Sequence, residues 1–142
     1  MFEAPKVIRD ISVSPDDAMA HYNLGTALKA KGDLDGAIAE YRVALRLQPD
    51  NAMAHCDLGA ALKAKGDLDG AIAEYHVALR LGPANAMAHY DLGRALWTKG
   101  DREAAFEEFH AAYKLAPNEP TIRQIYYDLV GQLEREPRSL AA

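Results

Sequence analysis

Small and apolar residues recur along this chain at the three- and four-residue spacing that places side chains on one face of a helix. The first stripe contains Ala20, Leu24, Ala27 and Leu28, and the second contains Ala37, Ile38, Tyr41, Ala44 and Leu45. The polar run Lys31-Gly32-Asp33 separates the two stripes. Because glycine suits a left-handed helix C-terminus and aspartate suits an N-cap, the pattern predicts two helices of about a dozen residues joined by a tight turn.

The same pattern returns every 34 residues. Residues 18–51 and 52–85 differ at only six of 34 aligned positions, and a more divergent third copy occupies residues 86–119. A proline follows the second stripe of each copy, at Pro49, Pro83 and Pro117. Repetition at this period is typical of stacked helical units that share their cores with their neighbours.

This period predicts four parts along the chain. Residues 16–119 contain the three repeats, and residues 1–15 are predicted to belong to a partial preceding repeat because Pro15 lies 34 residues before Pro49. Residues 120–135 are predicted to form a capping helix over the last repeat, and residues 136–142 a flexible tail. The apolar stripe expected to bury the capping helix consists of Ile122, Ile125, Leu129 and Leu133.

Composition narrows the classes of function. The formal net charge of −5 argues against a nucleic-acid partner, and no uncharged stretch is long enough to span a membrane. The single cysteine, Cys56, leaves no internal disulfide and fits a cytoplasmic location. No nucleophile–base pair, phosphate loop or metal cluster is recognisable, so we expect no catalysis, no cofactor and no metal.

A histidine stands at the same position of each repeat, at His21, His55 and His89. Equivalent atoms of adjacent repeats lie about 10 Å apart, which is too far for a shared metal ion. We therefore expect each histidine to be half-buried and to fill space between helices.

The signature positions are specific enough to indicate a family. Leu24-Gly25, Ala37, Tyr41, Ala44 and Pro49 have the spacing of the tetratricopeptide repeat, and both later copies keep it. The chain thus resembles that family over three repeats. The resemblance implies an all-α, right-handed solenoid in which the first helices line a concave groove. It also implies a non-catalytic adaptor or scaffold that binds proteins.

The groove face is predicted from the stripe opposite the apolar one on each first helix. Each position on this face forms a row of three equivalent residues, one from each copy. Four of the five rows change residue type between copies, which indicates adjustment for a ligand. The predicted peptide-binding residues are Met19, Tyr22, Asn23, Thr26, Lys29, Met53, Cys56, Asp57, Lys63, Met87, Tyr90, Asp91, Arg94 and Trp97.

These side chains predict a peptide or helix ligand, with basic residues opposite Asp57 and Asp91. Arg94 and Trp97 are expected to lie close together and to hold a carboxylate or an aromatic group. Chaperone-binding relatives carry a lysine, asparagine and arginine clamp for two carboxylates, which this chain lacks. Asn23 matches the asparagine ladder of O-linked N-acetylglucosamine transferases, but aspartate occupies the next two rungs.

Two alternatives remain open from the sequence. The chain could stack end to end, as a homo-oligomer or as part of a longer scaffold. It could also be the targeting arm of a larger enzyme.

Overall fold

The computed structural model describes residues 17–135, which form seven α-helices and no strand. The helices are α1 (Ala18–Ala30), α2 (Leu34–Leu47), α3 (Ala52–Ala64), α4 (Leu68–Leu81), α5 (Ala86–Lys99), α6 (Arg102–Leu115) and α7 (Pro120–Arg135). The predicted all-α solenoid of paired helices is confirmed. The partial repeat at 1–15 and the tail at 136–142 lie outside the described residues.

The predicted turn chemistry within each repeat is present. The carboxylate of Asp33 accepts a hydrogen bond from the backbone N–H of Gly36 at 2.9 Å, which caps the start of α2. Gly32 has a φ of 85°, a left-handed conformation that glycine adopts without strain. Gly66 and Gly100 repeat this geometry, so the same three-residue turn reverses the chain in every copy.

Each first helix packs closely on the second helix of its own repeat. Tyr41 is fully buried, and its ring lies against Gly25 of α1. A Cβ atom at Gly25 would lie 2.8 Å from that ring, so only glycine allows this approach. Tyr75 on Gly59 and Phe109 on Gly93 repeat the contact, and these rings form the centre of the core.

The repeats are joined because each second helix packs on the first helix of the next repeat. Ala54, Leu58, Ala61 and Leu62 of α3 are 5% exposed or less at this junction. Within residues 17–135, α3 also approaches α1 and α5 directly, whereas the second helices make no comparable contact with one another. The first helices therefore line the inner, concave side of the stack.

The repeated histidines do more than fill space. Nδ1 of His55 lies 2.6 Å from the Glu74 carboxylate on α4, and its Nε2 lies 2.8 Å from the carbonyl of Pro49. Both partners are hydrogen-bond acceptors, so either ring nitrogen has an acceptor within reach when it carries the hydrogen. His89 has the same pair of partners, Glu108 and Pro83. The histidine thus ties three segments together at each repeat junction.

Helix α7 packs on α6 as the first helix of a fourth unit would. It begins 34 residues after α5, and Ile122 and Leu129 are 0% and 5% exposed. The predicted stripe is wrong at Leu133, which is 41% exposed. Tyr126 takes part in the contact instead, with its ring stacked on Tyr113 at 4.3 Å between centroids. No helix of residues 17–135 is long and apolar enough to cross a membrane.

Candidate functional site: the groove of the first helices

Three exposed methionines lie on the face of the first helices that is predicted to line the groove. Met19, Met53 and Met87 occupy the same position in α1, α3 and α5 and are 52%, 64% and 47% exposed. Asn23 is also exposed, and Lys29 is half-buried. Large apolar side chains left in water at a repeated position offer adaptable contact area to a ligand.

The first junction of the groove lies between the first and second repeats, and it is closed by hydrogen bonds within the chain. The Tyr22 hydroxyl donates to the carboxylate of Asp57, in the next repeat, at 2.6 Å. The Tyr22 ring packs on Tyr41 with centroids 5.8 Å apart, and Thr26 Oγ1 lies 3.2 Å from the Tyr41 hydroxyl. Burial and the bond to Asp57 raise the pKa of Tyr22 to about 12. The phenol therefore stays neutral and bonded at physiological pH.

The second junction has the same framework and different side chains. Cys56 and Ala60 replace Tyr22 and Thr26, while Tyr75 and Asp91 correspond to Tyr41 and Asp57. Neither the Tyr75 hydroxyl nor the Asp91 carboxylate makes a hydrogen bond or ion pair with any part of residues 17–135. Of these two groups only the carboxylate of the half-buried Asp91 is open to a ligand, because Tyr75 is 1% exposed.

The electrostatics of the second junction reflect its desolvation. Burial raises the pKa of the Asp91 carboxyl, although the positive charges of Arg94 and Lys63 oppose this rise. Burial also raises the pKa of the Tyr75 hydroxyl, and the Asp91 carboxylate adds to that effect. The pKa of the Cys56 thiol rises to about 11, first through burial and then through Asp57 and Asp91. Cys56 is thus a small neutral side chain at physiological pH.

In the third repeat, arginines cover the aromatic residues. The Arg94 guanidinium lies 5.7 Å from the centroid of the Tyr90 ring, and Tyr90 packs on Phe109. The Arg102 guanidinium lies 5.0 Å from the centroid of the Trp97 ring. The cation–π contacts therefore join Arg94 to Tyr90 and Trp97 to Arg102, and the joint binding of a carboxylate or an aromatic group by Arg94 and Trp97 stays a prediction.

Two family models match the chain. One, described as TPR repeat, matches residues 25–66, and the other, described as Tetratricopeptide repeat, matches residues 56–120. Together they cover all three helix pairs apart from the start of α1. The chain belongs to the tetratricopeptide repeat family. Comparison with curated proteins gives no significant match.

Solved structures share the tetratricopeptide repeat fold of this chain. A crystal structure of MamA protein is 27% identical with a TM-score of 0.70, covering 76% of this chain and 59% of that one. A MamA RS-1 ArsTM double mutant is 29% identical with a TM-score of 0.74, covering 78% and 62%. This chain therefore spans about three fifths of the length of these MamA structures.

A third similar structure is the first TPR of Spaghetti (RPAP3) bound to the HSP90 peptide SRMEEVD. It is 19% identical with a TM-score of 0.78, and the match covers 87% of this chain and 98% of that one. At this identity the likeness shows the tetratricopeptide repeat fold alone. The family and its repeat architecture make the chain a protein–protein interaction module.

The structure adds three residues that the sequence did not predict for this tetratricopeptide groove. Tyr41 and Tyr75 are core residues whose hydroxyls reach groove side chains, and Arg102 comes from a second helix. A hydrogen bond also joins two different rows, since Tyr22 bonds to Asp57, which belongs to the neighbouring row. The described residues contain no group of three or more histidine, cysteine or acidic side chains placed to hold a metal.

Proposed function

We propose that this chain binds a peptide or a helix of a partner protein along the groove of α1, α3 and α5. The observation that carries the proposal is the row of exposed methionines beside Asp91, a desolvated carboxylate without a hydrogen-bond partner in residues 17–135. Methionines supply apolar contact, and the carboxylate can accept a hydrogen bond from a ligand donor. A peptide that lies along the row meets both needs.

The two groove aspartates differ in what they offer a ligand. Asp57 already accepts a hydrogen bond from Tyr22, whereas Asp91 does not accept one from any described residue. Lys63 and Arg94 contribute positive charge near Asp91. We therefore expect the ligand to present hydrogen-bond donors to the aspartates, with its basic residues nearer to Asp57 than to Lys63 and Arg94.

A peptide display selection tests this proposal. The full chain is selected against random peptides beside the variant Asp57→Arg/Asp91→Arg, whose fold is checked by circular dichroism. We expect the wild type to enrich a motif that the variant does not bind. The matched control is Asp50→Arg/Glu107→Arg, which makes the same change in charge at exposed positions outside the first helices, one in the turn before α3 and one on α6.

The control variant should enrich the same motif as the wild type. Equal enrichment by the groove variant would place binding elsewhere on the surface. No enrichment by any chain would count against the groove as a peptide site.

End stacking is a second candidate, and one observation favours it. Tyr127 and Leu133 of α7 are 54% and 41% exposed, which leaves apolar area at this end of the stack. A second copy could cover that area. Light scattering over a concentration series should then show association that Tyr127→Lys/Leu133→Lys weakens. A constant monomer mass would remove this candidate.

A further inference from the structure

The first helices of the second and third repeats receive two things from the segment before them. One is a carbonyl: Nε2 of His55 lies 2.8 Å from the carbonyl of Pro49, and Nε2 of His89 lies 3.0 Å from that of Pro83. The other is apolar cover. The covered side chains are all 8% exposed or less, and they are Ala54, Leu58, Ala61 and Leu62 of α3 and Ala88, Leu92, Ala95 and Leu96 of α5.

Helix α1 presents the same face without this cover. Ala27 is exposed, and Ala20, Leu24 and Leu28 are only partly buried, although the equivalent residues of α3 and α5 are buried. Nε2 of His21 is buried and has no hydrogen-bond partner within residues 17–135, a condition that no other side-chain nitrogen or oxygen of that range shares. Because an unpartnered buried polar atom is costly, this face requires a polar group beside His21 as well as apolar cover.

The sequence before α1 has a carbonyl at the required separation. Pro15 lies six residues before His21, which is the separation of the bonded proline and histidine in both later repeats. The start of the helix is also the same, since Asp17 caps α1 through the N–H of Ala20 at 3.0 Å and Asn51 caps α3 in the same way at 3.1 Å. The carbonyl of Pro15 therefore has the same short connection to its histidine.

The positions of a second helix that face the next first helix are known from the other junctions. Ile38 and Arg42 line a cleft between α2 and α3. On α6 the equivalent residues and the one a turn later contact the Tyr126 ring of α7, and they are Phe106, His110 and Tyr113. Counted back by whole repeats, these three positions fall on Ala4, Ile8 and Ile11. All three are apolar, so the segment before α1 has an apolar stripe where α1 needs cover.

The opposite side of this segment is polar. In the first repeat Ala37, Tyr41 and Ala44 form the buried face that packs on α1 of the same repeat. The residues 34 positions before them are Glu3, Val7 and Asp10. An apolar face towards the stack and acidic residues on the other side are the pattern of a capping element.

We propose that residues 4–15 pack on α1 as a short helical cap, with Ile8 and Ile11 covering Leu24 and Leu28 and the carbonyl of Pro15 accepting a hydrogen bond from Nε2 of His21. Pro5 fits this arrangement, because proline is tolerated in the first turn of a helix. One contact of the other junctions is not repeated. Lys65 pairs with Asp35, and Met1 stands at the position of that aspartate.

The segment of the same chain is favoured over a second copy as the occupant. A single residue, Asp16, separates Pro15 from the N-cap of α1, so the tether holds the segment beside its site at a high local concentration. The inference concerns the outer face of α1 and does not depend on peptide binding in the groove.

The direct test measures NOEs between methyl groups in the full chain, with the methyls of isoleucine, leucine and alanine labelled. We expect NOEs from Ile8 and Ile11 to Leu24, Ala27 or Leu28. A sample that mixes labelled with unlabelled chains separates contacts within a chain from contacts between chains. Absence of these NOEs would overturn the proposal. NOEs found only between different chains would place a second copy on α1 and would also overturn it.

A pair of matched variants tests the apolar contact. Ile8→Asp/Ile11→Asp should raise the hydrogen-exchange rates of the amides of α1 by about tenfold, because it removes the cover of the apolar face. The control Val7→Asp/Val13→Asp makes the same change in the same segment, at positions that do not face α1. Its expected effect is about twofold or less, since Leu47, the equivalent of Val13, is 42% exposed. Equal exchange rates in both variants would contradict the proposed face.

The histidine ring nitrogens test the polar contact. In the wild type the ¹⁵N shifts of His21 should lie nearer to those of His55 and His89 than to those of the exposed His76. They should move away from them in Ile8→Asp/Ile11→Asp. Shifts of His21 that match His76 in the wild type would rule out the bond to Pro15. If Ile8→Asp/Ile11→Asp does not fold by circular dichroism, the wild-type NOEs and ring shifts decide.

Discussion

The first and second junctions of this solenoid are built on nearly the same sequence and differ in the chemistry they present to the groove. At the first, Tyr22 and Asp57 satisfy each other across the repeat boundary. At the second, Cys56 stands opposite Asp91, and no described residue replaces the missing hydrogen bond. The buried tyrosine and the glycine beneath it are the same in both. Side chains that position the helices are therefore kept, while two or three groove positions determine what each junction offers.

The third junction extends this comparison. Tyr90 occupies the position of Tyr22 and is also a tyrosine. Ile125 of α7, however, stands where the earlier repeats have Asp57 and Asp91. Donor and acceptor are thus both present at the first junction, only the acceptor at the second and only the donor at the third. Because the units are stacked in a line, these differences vary along the groove, and a peptide bound there as proposed would have a defined direction and register.

The largest expected effect comes from opening the first junction. The variant Tyr22→Cys/Thr26→Ala gives it the side chains of the second. We expect a loss of about 3 kcal/mol in the free energy of unfolding, because it removes aromatic packing on Tyr41 and leaves Asp57 without its donor. Urea unfolding followed by circular dichroism measures this loss.

The reciprocal variant, Cys56→Tyr/Ala60→Thr, should not lose stability, because it supplies the missing donor to Asp91. A neutral control is Arg42→His, which also copies the second repeat into the first but at an exposed position, with an expected change within about 0.5 kcal/mol. Equal losses in the first-junction variant and this control would show that the Tyr22–Asp57 contact adds nothing to stability.

The helices could be predicted from sequence because their signals are local. Gly32 and Asp33 determine a turn through their own backbone and side-chain preferences, and the structure has the turn where the sequence predicts it. The position of Gly25 could also be predicted, because its spacing from Tyr41 is a family signature. The fold class therefore followed from periodicity and turn residues, whereas the ligand-binding face of the first helices stays a prediction.

The contacts within the groove could not be predicted in this way. Tyr22 and Asp57 are 35 residues apart, one more than the repeat length, so they lie in different rows of an alignment. Which rows meet depends on how far each repeat is rotated against the next. The prediction of the buried face of α7 was wrong at one position for a related reason. Tyr126 contacts the aromatic Tyr113, which stands where the earlier second helices carry leucine. This contact leaves Leu133 exposed.

A smaller effect distinguishes the two core tyrosines. Tyr41→Phe should cost about 1 kcal/mol of unfolding free energy, because the Tyr41 hydroxyl meets Thr26. Tyr75→Phe should be neutral or stabilising, because it removes a buried hydroxyl without a described partner. Thermal and urea unfolding of both variants measure the difference. Adding Thr26→Ala to Tyr41→Phe should cost little more, and equal losses at Tyr41 and Tyr75 would mean that the junctions do not differ.

The smallest effect concerns the reactivity of Cys56. Burial and the charges of Asp57 and Asp91 raise its pKa to about 11, so less thiolate is present at any given pH than for a free cysteine. The rate of alkylation by iodoacetamide should therefore still rise from about pH 9 to about pH 11. In urea the rate of alkylation of this thiol should level off about one pH unit above the ordinary cysteine pKa of about 8.5. The variant Asp57→Asn/Asp91→Asn should shift the folded profile to lower pH, because it removes both negative charges. A folded profile that matches the one in urea would show that Cys56 is not enclosed at the second junction and would leave no sheltered site there for a ligand.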